Sequence, residues 1–403
     1  MTPVLPGLPG LAAALALVAA ALLRWTDRRG DPPAAALLPL AALAPLAAGF
    51  AGSAAAPRAF APLAALVVVA MLARDREDRL HAECALKLMW VLGPAFALSW
   101  TGEHLLTVVT GTADVREQWG VLALGLDPPQ LWGVALPLAL LGGLVLAGGA
   151  PFHFWAADLL QGGRAWLAPL AVAVLQAGGA LWLARRLDGV ETFDAASRVA
   201  SGLTGIAAMV AFVAGGVTLA GQRRPERRVG TLASLQGALA VASLAVAHHA
   251  WRRLPPPPGA FEAWAAHLVL ALTGAAAVAR LLPVSGAAPS AAAPIARRHP
   301  LAAIAGLYAM ASLAGVPGTP GAELWLEVAR RTVAAGRSDL LLAMGFAWVA
   351  AFTTTVRTAR EAFGALDPAP PPPNPVPRAV RAALWIAAAG LIAAWPAGGV
   401  LAR

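Results

Sequence analysis

The sequence predicts an all-α polytopic membrane protein with about twelve transmembrane helices. The 403 residues are 59% hydrophobic and only 13% charged, and the mean hydropathy is +0.68, whereas soluble domains carry about 25% charged residues. Several apolar runs reach the roughly 20 residues that cross a bilayer as a helix. These runs are continuous rather than alternating, which excludes the strands of a closed barrel.

The twelve predicted helices are distributed along the whole chain. Their predicted spans are 4–23, 33–51, 59–73, 84–109, 130–149, 166–184, 199–221, 229–248, 262–281, 300–335, 339–363 and 379–399. No basic residue precedes the first run, and Arg24, Arg28 and Arg29 follow it. This pattern indicates a retained helix that enters from the outside rather than a signal peptide.

The tenth span contains a break, in the sequence Gly315-Val-Pro317-Gly-Thr-Pro320-Gly321. Each proline removes a backbone donor, so the helix should stop near the middle of the membrane. Broken helices are tolerated where protein covers the freed backbone or where it lines a cavity. The alternative is two short helices that meet at a surface turn.

The arginines predict the orientation. If both termini lie on the outer face, inner loops hold 18 of the 29 arginines, and this bias favours that orientation. The net charge of +9 is therefore interpreted as a topology signal rather than a nucleic-acid surface. Proline-rich connectors at 255–258 and 368–377 separate no soluble domain, so 1–403 is one membrane domain.

No cofactor or metal is expected on this chain. Its one cysteine, Cys84, excludes a disulfide framework and sites built from several thiolates. There is no dinucleotide-binding glycine motif after a strand, no Walker loop, no paired-histidine metal motif and no nucleophile elbow. Any redox chemistry must lie on partner subunits, so the assignment as an enzyme stays open.

The most informative segment is an elbow at residues 149–163, between two apolar runs. Its motif residues are Pro151, His153, Trp155 and Asp158. We expect a compact polar turn at the membrane edge.

Three further segments accompany the elbow in a fixed order: Glu83-Cys-Ala-Leu-Lys87, then Gln222 with Arg227 and Gly230, then Pro300 through Ser312-Leu-Ala-Gly-Val-Pro317 to Gly321. Together the four segments resemble the antiporter-like subunits of respiratory complex I, most closely the N subunit. The resemblance covers about residues 80–365. It implies a bacterial inner-membrane protein whose partners are other membrane-arm subunits, in a parent complex that uses NADH, FMN, iron–sulfur clusters and quinone.

The resemblance also implies two inverted-repeat bundles, at 59–184 and 199–335, flanked by helices at 1–58 and 339–403. Each bundle should contain one interrupted helix, and in the first bundle the break is expected near residues 144–149. The family usually has fourteen helices, and the shortfall of two falls at the N-terminus.

The family's proton-carrying charges are largely missing. Its lysines fall here on Leu146, Gln176 and Trp325, and its helix-ten histidine falls on Gln236. The region 59–73, where the family's glutamate would lie, has no acidic residue. Leucine and tryptophan cannot titrate, and glutamine relays only through hydrogen bonds. The resemblance therefore implies a scaffold with a degenerate proton path.

The remaining proton-path candidates share a polar side chain near the expected membrane helices: Glu83, Lys87, His153, Gln176, Gln236, His267 and Glu323. Each also has a structural interpretation. Glu83 and Lys87 form an i,i+4 ion pair, His267 forms a buried hydrogen bond, and Glu323 with Glu327 lies beside Arg330 and Arg331. Glu103 and His104 are expected at the interface.

Three functions stay open at this point. The first is a complex I-like membrane-arm subunit with a structural or coupling role. The second is a free-standing cation/proton antiporter. The third is an antiporter-like subunit of a membrane-bound hydrogenase-type complex.

Overall fold

The computed structural model describes residues 55–74, 79–125, 130–149, 154–249, 260–282, 294–364 and 376–399. The expected helices at 4–23 and 33–51 lie outside these ranges, as do the elbow residues Pro151 and His153. The described part of the chain is helical and contains no strand.

The structure describes fourteen α-helices. Those that correspond to predicted spans have bounds close to the predicted ones. They are α1 Ala55–Arg74, α2 Arg79–Thr110, α3 Val115–Leu124, α4 Trp132–Leu146, α5 Trp155–Gly162, α6 Leu167–Arg186, α7 Asp194–Gly221, α8 Pro225–His249, α9 Ala260–Ala279, α10 Ile295–Arg298, α11 Pro300–Leu313, α12 Pro320–Ala334, α13 Ser338–Phe363 and α14 Arg378–Gly399. A short 3-10 turn, Val190–Thr192, joins α6 to α7.

Six of the described segments are long and apolar enough to cross a membrane: Arg79–Thr110, Leu167–Thr192, Asp194–Gly221, Pro225–Ala247, Ala260–Ala279 and Ser338–Phe363. Shorter apolar helices cover Ala61–Ala73, Trp132–Leu146 and Pro300–Leu313. Helix α6 is almost entirely buried, whereas α2 and α13 expose large apolar side chains such as Trp90 and Leu342. The centre of the bundle is therefore formed by α6, α8 and α9, and the apolar outer faces are suited to lipid.

Two helices are interrupted, at the places that the sequence predicts. Helix α4 ends at Leu146 and α5 begins at Trp155, while α11 ends at Leu313 and α12 begins at Pro320. We call residues 147–154 the first break and residues 314–319 the second break.

The elbow differs from the expected polar turn, because its second half is a buried helix. In α5, Trp155, Ala156, Leu159 and Leu160 are all at most 2% exposed. Their spacing places them on one side of a helix, and α5 packs chiefly against α8. Among the described residues of the elbow, Asp158 and its neighbours carry the polarity that the sequence suggested.

Helix α3 was not predicted from the apolar runs, because it is short and only half apolar. Its N-cap is Asp114, whose Oδ1 accepts hydrogen bonds from the backbone N–H groups of Arg116 and Glu117 at 2.9 and 3.0 Å. An aspartate followed three residues later by a glutamate is a helix-start pattern. That pattern is the signal that could have found α3.

Candidate functional site

The helices before the two breaks end with the same backbone geometry. Each begins with Leu-Ala-Gly, and the glycine is left-handed, with φ 86° at Gly148 and 68° at Gly315. The next residue donates its backbone N–H across the end of the helix, from Gly149 to the carbonyl of Leu144 at 2.7 Å and from Val316 to Ala311 at 3.0 Å. This is a glycine helix cap, which satisfies carbonyls that would otherwise lack a partner.

Glycines let neighbouring backbones approach the first break. A Cβ at Gly237 on α8 would lie 1.7 Å from the carbonyl oxygen of Ala147, and one at Gly179 on α6 would lie 2.4 Å from the Ala147 nitrogen. The indole of Trp155 donates to the carbonyl of Val145 at 2.9 Å and so bridges the gap between α4 and α5. Ala147, at the start of the first break, is thus enclosed by α6 and α8.

Neutral hydrogen bonds hold the second break. The Ser312 hydroxyl oxygen accepts from the backbone N–H of Gly321 at 3.1 Å and lies 2.9 Å from His267 Nε2. Gln236 Nε2 donates to the carbonyl of Leu313 at 2.7 Å. The indole of Trp348 donates to the carbonyl of Gly315 at 2.8 Å. The freed backbone groups of this break are therefore covered by protein, as a buried break requires.

A set of uncharged polar side chains connects the two breaks through α8. We call Gln176, Gln236, His267 and Ser312 the central polar set, and all four are at most 3% exposed. Gln176 lies against Gly148 of the first break and donates from Nε2 to the carbonyl of Ala233 on α8 at 3.1 Å. One helical turn further along α8, Gln236 reaches the second break.

Charged side chains meet at α5, which follows the first break. Asp158 lies 2.5 Å from Arg227 Nη1 and 4.0 Å from Lys87 Nζ, and Lys87 in turn lies 2.7 Å from Glu83. Arg227 also donates to Gln161 at 2.9 Å. We call these five residues the Asp158 cluster. It brings together three of the four sequence motifs, from α2, α5 and α8.

The side chains of the Asp158 cluster differ in their exposure to solvent. The side chain of Asp158 is 13% exposed and that of Arg227 is 28% exposed, whereas Lys87 and Glu83 are each 49% exposed. The Glu83–Lys87 pair is consequently a half-exposed pair at the edge of the cluster. The group in the middle of the cluster is Asp158.

Two buried ion pairs were missed by sequence reasoning. Glu103, expected at the interface, is 7% exposed and lies 3.3 Å from Arg186, which is 1% exposed and sits over the ring of Trp119. The burial and pairing of Glu103 were not predicted, because they depend on Arg186 and on α3, which packs against α2. The second pair joins Arg228 on α8 to Glu361 on α13.

The other acidic and histidine candidates are dispersed. Glu327 pairs with Arg331 at 2.8 Å, which favours the structural interpretation of that carboxylate. Glu323 is half-buried on α12, and His104 is exposed. Within the described ranges, no three side chains from His, Cys, Asp and Glu come together as candidate metal ligands.

No protein-family model matches this chain, and no curated protein matches its sequence. Solved structures do match. A chain of respiratory complex I from Thermus thermophilus, determined with bound aureothin, has 22% identity and a TM-score of 0.74, over 98% of this chain and 86% of that one. The fold is that of antiporter-like membrane subunits.

Two other complexes contain chains with this fold. One is the membrane-bound sulfane sulfur reductase, an archaeal respiratory membrane complex, with 19% identity and a TM-score of 0.79 over 97% of this chain and 81% of that one. The other is the Mrp complex from Dietzia sp. DQ12-45-1b, with 15% identity and a TM-score of 0.66 over 99% and 90%. At these identities the likeness concerns the fold alone.

Proposed function

We propose that this chain is an antiporter-like membrane subunit of a complex I-type NADH-quinone oxidoreductase, similar to the N subunit, with a structural or coupling role. It has twelve membrane helices, lies in a bacterial inner membrane and has both termini on the outer face. NADH, FMN, the iron–sulfur clusters and the quinone belong to other subunits of the parent complex. The shared fold and the four ordered motifs support this proposal.

The observation that carries the non-pumping role is that the central polar set contains no lysine and no carboxylate, and that its histidine, His267, is hydrogen-bonded to Ser312. Gln176 and Gln236 stand where the resemblance implies a lysine and a histidine, and each donates its amide N–H to a backbone carbonyl. An amide neither takes up nor releases a proton at physiological pH. These side chains fasten α6, α8 and the second break together.

The other two lysine positions are closed by apolar packing. Leu146 is fully buried at the end of α4, and Trp325 is 3% exposed. A Cβ at Gly315 would lie 2.3 Å from the Trp325 ring, so the indole fills the space beside the second break. A proton that followed the family's route would have to cross these apolar groups without a carrier, which is costly in a low-dielectric region.

The test is the proton-to-electron ratio of the reconstituted parent complex with Gln176→Leu in this subunit. We expect an unchanged ratio, because Gln176 acts as a brace. The matched control is Gln130→Leu, at an exposed glutamine. A lower ratio with Gln176→Leu, at normal electron transfer and normal assembly, would place Gln176 on a working relay and overturn the non-pumping role.

The reverse experiment restores a charge. Leu146→Lys places an ammonium at a fully buried position, and an unpaired charge inside a membrane helix costs about 2.5–3.5 kcal/mol on insertion scales. We expect this variant to lose stability without gaining proton transport. A stable variant that increases proton transport would show that the scaffold needs only a lysine to pump.

A second candidate parent is a reductase- or hydrogenase-type membrane complex, favoured by the TM-score of 0.79 with the sulfane sulfur reductase chain. Isolation of the intact complex in a mild detergent, followed by identification of its subunits, distinguishes the two parents. A free-standing cation/proton antiporter is the third candidate. Ion transport by the purified chain in liposomes would favour it, and we expect no transport.

A further inference from the structure

A cavity of about 430 Å³ lies at the end of the bundle opposite the Asp158 cluster. It is bounded by the last turns of α6, the later turns of α8, the start of α9 and the middle of α12. On α6 its lining runs from Ala180 to Arg185, and Asp188 continues it just past the end of that helix. The five residue steps on α6 rise about 7.5 Å, so the cleft extends over more than one helical turn.

Apolar side chains form the deep part of this cleft: Leu181, Leu239, Ala240, Trp264 and Leu324. Each belongs to the part of its helix that lies further from the bundle end. Trp264 donates its indole N–H to the carbonyl of Gln236 at 3.2 Å, which fixes the ring as one wall. Such a floor binds an apolar body by removing its surface from water.

The rim of the cleft carries three arginines and three carboxylates, and most of these charges neutralise one another. Arg185 is one of the arginines and makes a contact of its own. Arg116 makes a two-pronged contact with Asp188, at 3.1 and 3.3 Å, and Arg331 pairs with Glu327 at 2.8 Å. Glu262, in the first turn of α9, lines the same rim and is half-buried. Among the residues that the structure describes, Glu262 makes no ion pair, so its carboxylate is available to a ligand.

Two aromatic rings of α9 line the cavity together with Glu262. Phe261 and Trp264 both line the cavity, with ring centroids 5.8 Å apart and planes inclined by 46°. The faces of aromatic rings attract cations, and a carboxylate forms an ion pair with a cation. The part of the rim at Glu262 therefore favours a cation, whereas the floor favours an apolar body.

We propose that this cleft binds an amphipathic amine, with the ammonium at Glu262 and the apolar body between Trp264 and the leucines of α6, α8 and α12. The site is separate from the central polar set and independent of the parent complex. It would hold the amine by an ion pair at the rim and by burial at the floor.

Two probes of the same shape test the proposal: 1-naphthylmethylamine, which is cationic at neutral pH, and 1-naphthylmethanol, which is neutral. Binding is measured on the full chain in nanodiscs, with empty nanodiscs subtracted to remove partition into lipid. We expect the amine to bind about tenfold more tightly than the alcohol or better, a difference of about 1.4 kcal/mol. Equal binding of the two probes would overturn the proposal.

Variants assign the binding to the cleft. Glu262→Gln should remove the preference for the amine and leave the alcohol unchanged, while the control Glu226→Gln, in the first turn of α8 at the opposite end, should change neither. Ala240→Trp fills the cleft and should weaken both probes, and Ala184→Trp serves the same purpose if Ala240→Trp fails to fold. Unchanged amine binding in Glu262→Gln, or in a folded variant with a filled cleft, would refute the site.

Discussion

The two interrupted helices end in the same type of glycine cap, but different interactions hold the segments that follow the caps. At the first break, the helix that follows is tied to its neighbours by charge, through Asp158 with Arg227 and Lys87. At the second break, the ties are uncharged hydrogen bonds to Ser312 and from Gln236. At both breaks a left-handed glycine in Leu-Ala-Gly ends the helix, whereas the surrounding helices decide what holds the pieces in place.

The length of the following helix explains part of this difference. Helix α5 has eight residues and α12 has fifteen, and an isolated helix of eight residues is unstable. Helix α5 therefore depends on outside contacts. Besides the Asp158 cluster, Cys84 donates its S–H to the carbonyl of Asp158 at 2.9 Å, and Arg280 donates to the carbonyl of Gly163, just past the end of the helix. A cation at a helix C-terminus also interacts favourably with the helix dipole.

The largest loss of stability is expected where a side chain is added to the glycine that lies closest to neighbouring backbone at each break. Gly237→Ala and Gly321→Ala each place a Cβ 1.7 Å from a backbone oxygen, of Ala147 and Ser312 respectively. Overpacking costs about 1–3 kcal/mol even where side chains can adjust, and these obstacles are backbone, so we expect at least about 3 kcal/mol in both variants. Thermal unfolding in detergent measures the loss.

The control for this pair is Gly345→Ala, where a Cβ meets nothing within 4 Å. It should be neutral or should stabilise α13 by up to about 1 kcal/mol, since alanine is the better helix former. If only one of the two break variants is destabilised, the packing at the two breaks is not equivalent.

The next prediction compares the stability cost of removing an ion pair at the first break with that of removing an uncharged hydrogen bond at the second break. Asp158→Asn removes the charge that holds Arg227, and a hydrogen bond to a charged group contributes about 1.5–3 kcal/mol. Ser312→Ala removes the acceptor of the Gly321 N–H group, at about 0.5–1.5 kcal/mol for a neutral bond. Unfolding at low and at high salt is the measurement.

Salt should reduce the cost of Asp158→Asn, because screening weakens the partly exposed ion pairs that wild type has and the variant lacks. The cost of Ser312→Ala should not depend on salt. The comparison fails if both costs respond to salt alike.

A third prediction concerns pH and the start of α11, which leads into the second break. His299 Nε2 accepts a hydrogen bond from the backbone N–H of Val376 at 3.1 Å, so this contact needs the neutral ring. Burial first, and then the nearby Arg381 and Arg298, hold the pKa of His299 below its ordinary value of 6.5. The folded state thus binds fewer protons than the unfolded state below that pH.

The contribution of His299 is consequently present above about pH 6.5 and is lost as the pH falls through the lower pKa of the folded state. We expect the unfolding temperature to fall in this acidic range in wild type and to fall less in His299→Gln, which keeps an acceptor without titrating there. The same pH profile in both proteins would show that the contact adds no pH dependence.

The smallest effect is expected at the edge of the Asp158 cluster. Lys87→Ala removes a pair in which both side chains are 49% exposed, and exposed ion pairs contribute about 0.2–1 kcal/mol. Lys87→Arg should restore most of that loss because it keeps the charge. Assembly yield and unfolding of the three proteins measure it, and a loss as large as that of Asp158→Asn would show that Lys87 is central to the cluster.

The helices and both breaks were predictable because their causes are local. Continuous apolar runs predict the described helices from α1 to α14 apart from the short α3, α5 and α10, and glycine and proline between runs predict the breaks. The buried ion pair of Glu103 with Arg186 was not predictable. Glu103 and Arg186 are 83 positions apart, and Arg186 at the end of an apolar run looks like an ordinary topology arginine.

What the sequence determined by itself is the membrane class, the order of the helices and the absence of titratable side chains at Leu146, Gln176, Trp325 and Gln236. Those conclusions depend on residue type and spacing, which can be read from the sequence without knowing which helices pack together. Only the tertiary structure decided that α5 is a buried helix held at Asp158, and that Gln176 and Gln236 brace the breaks. Partners distant in sequence supply those contacts, and a side chain's role is set by what lies within hydrogen-bonding distance once the helices have packed.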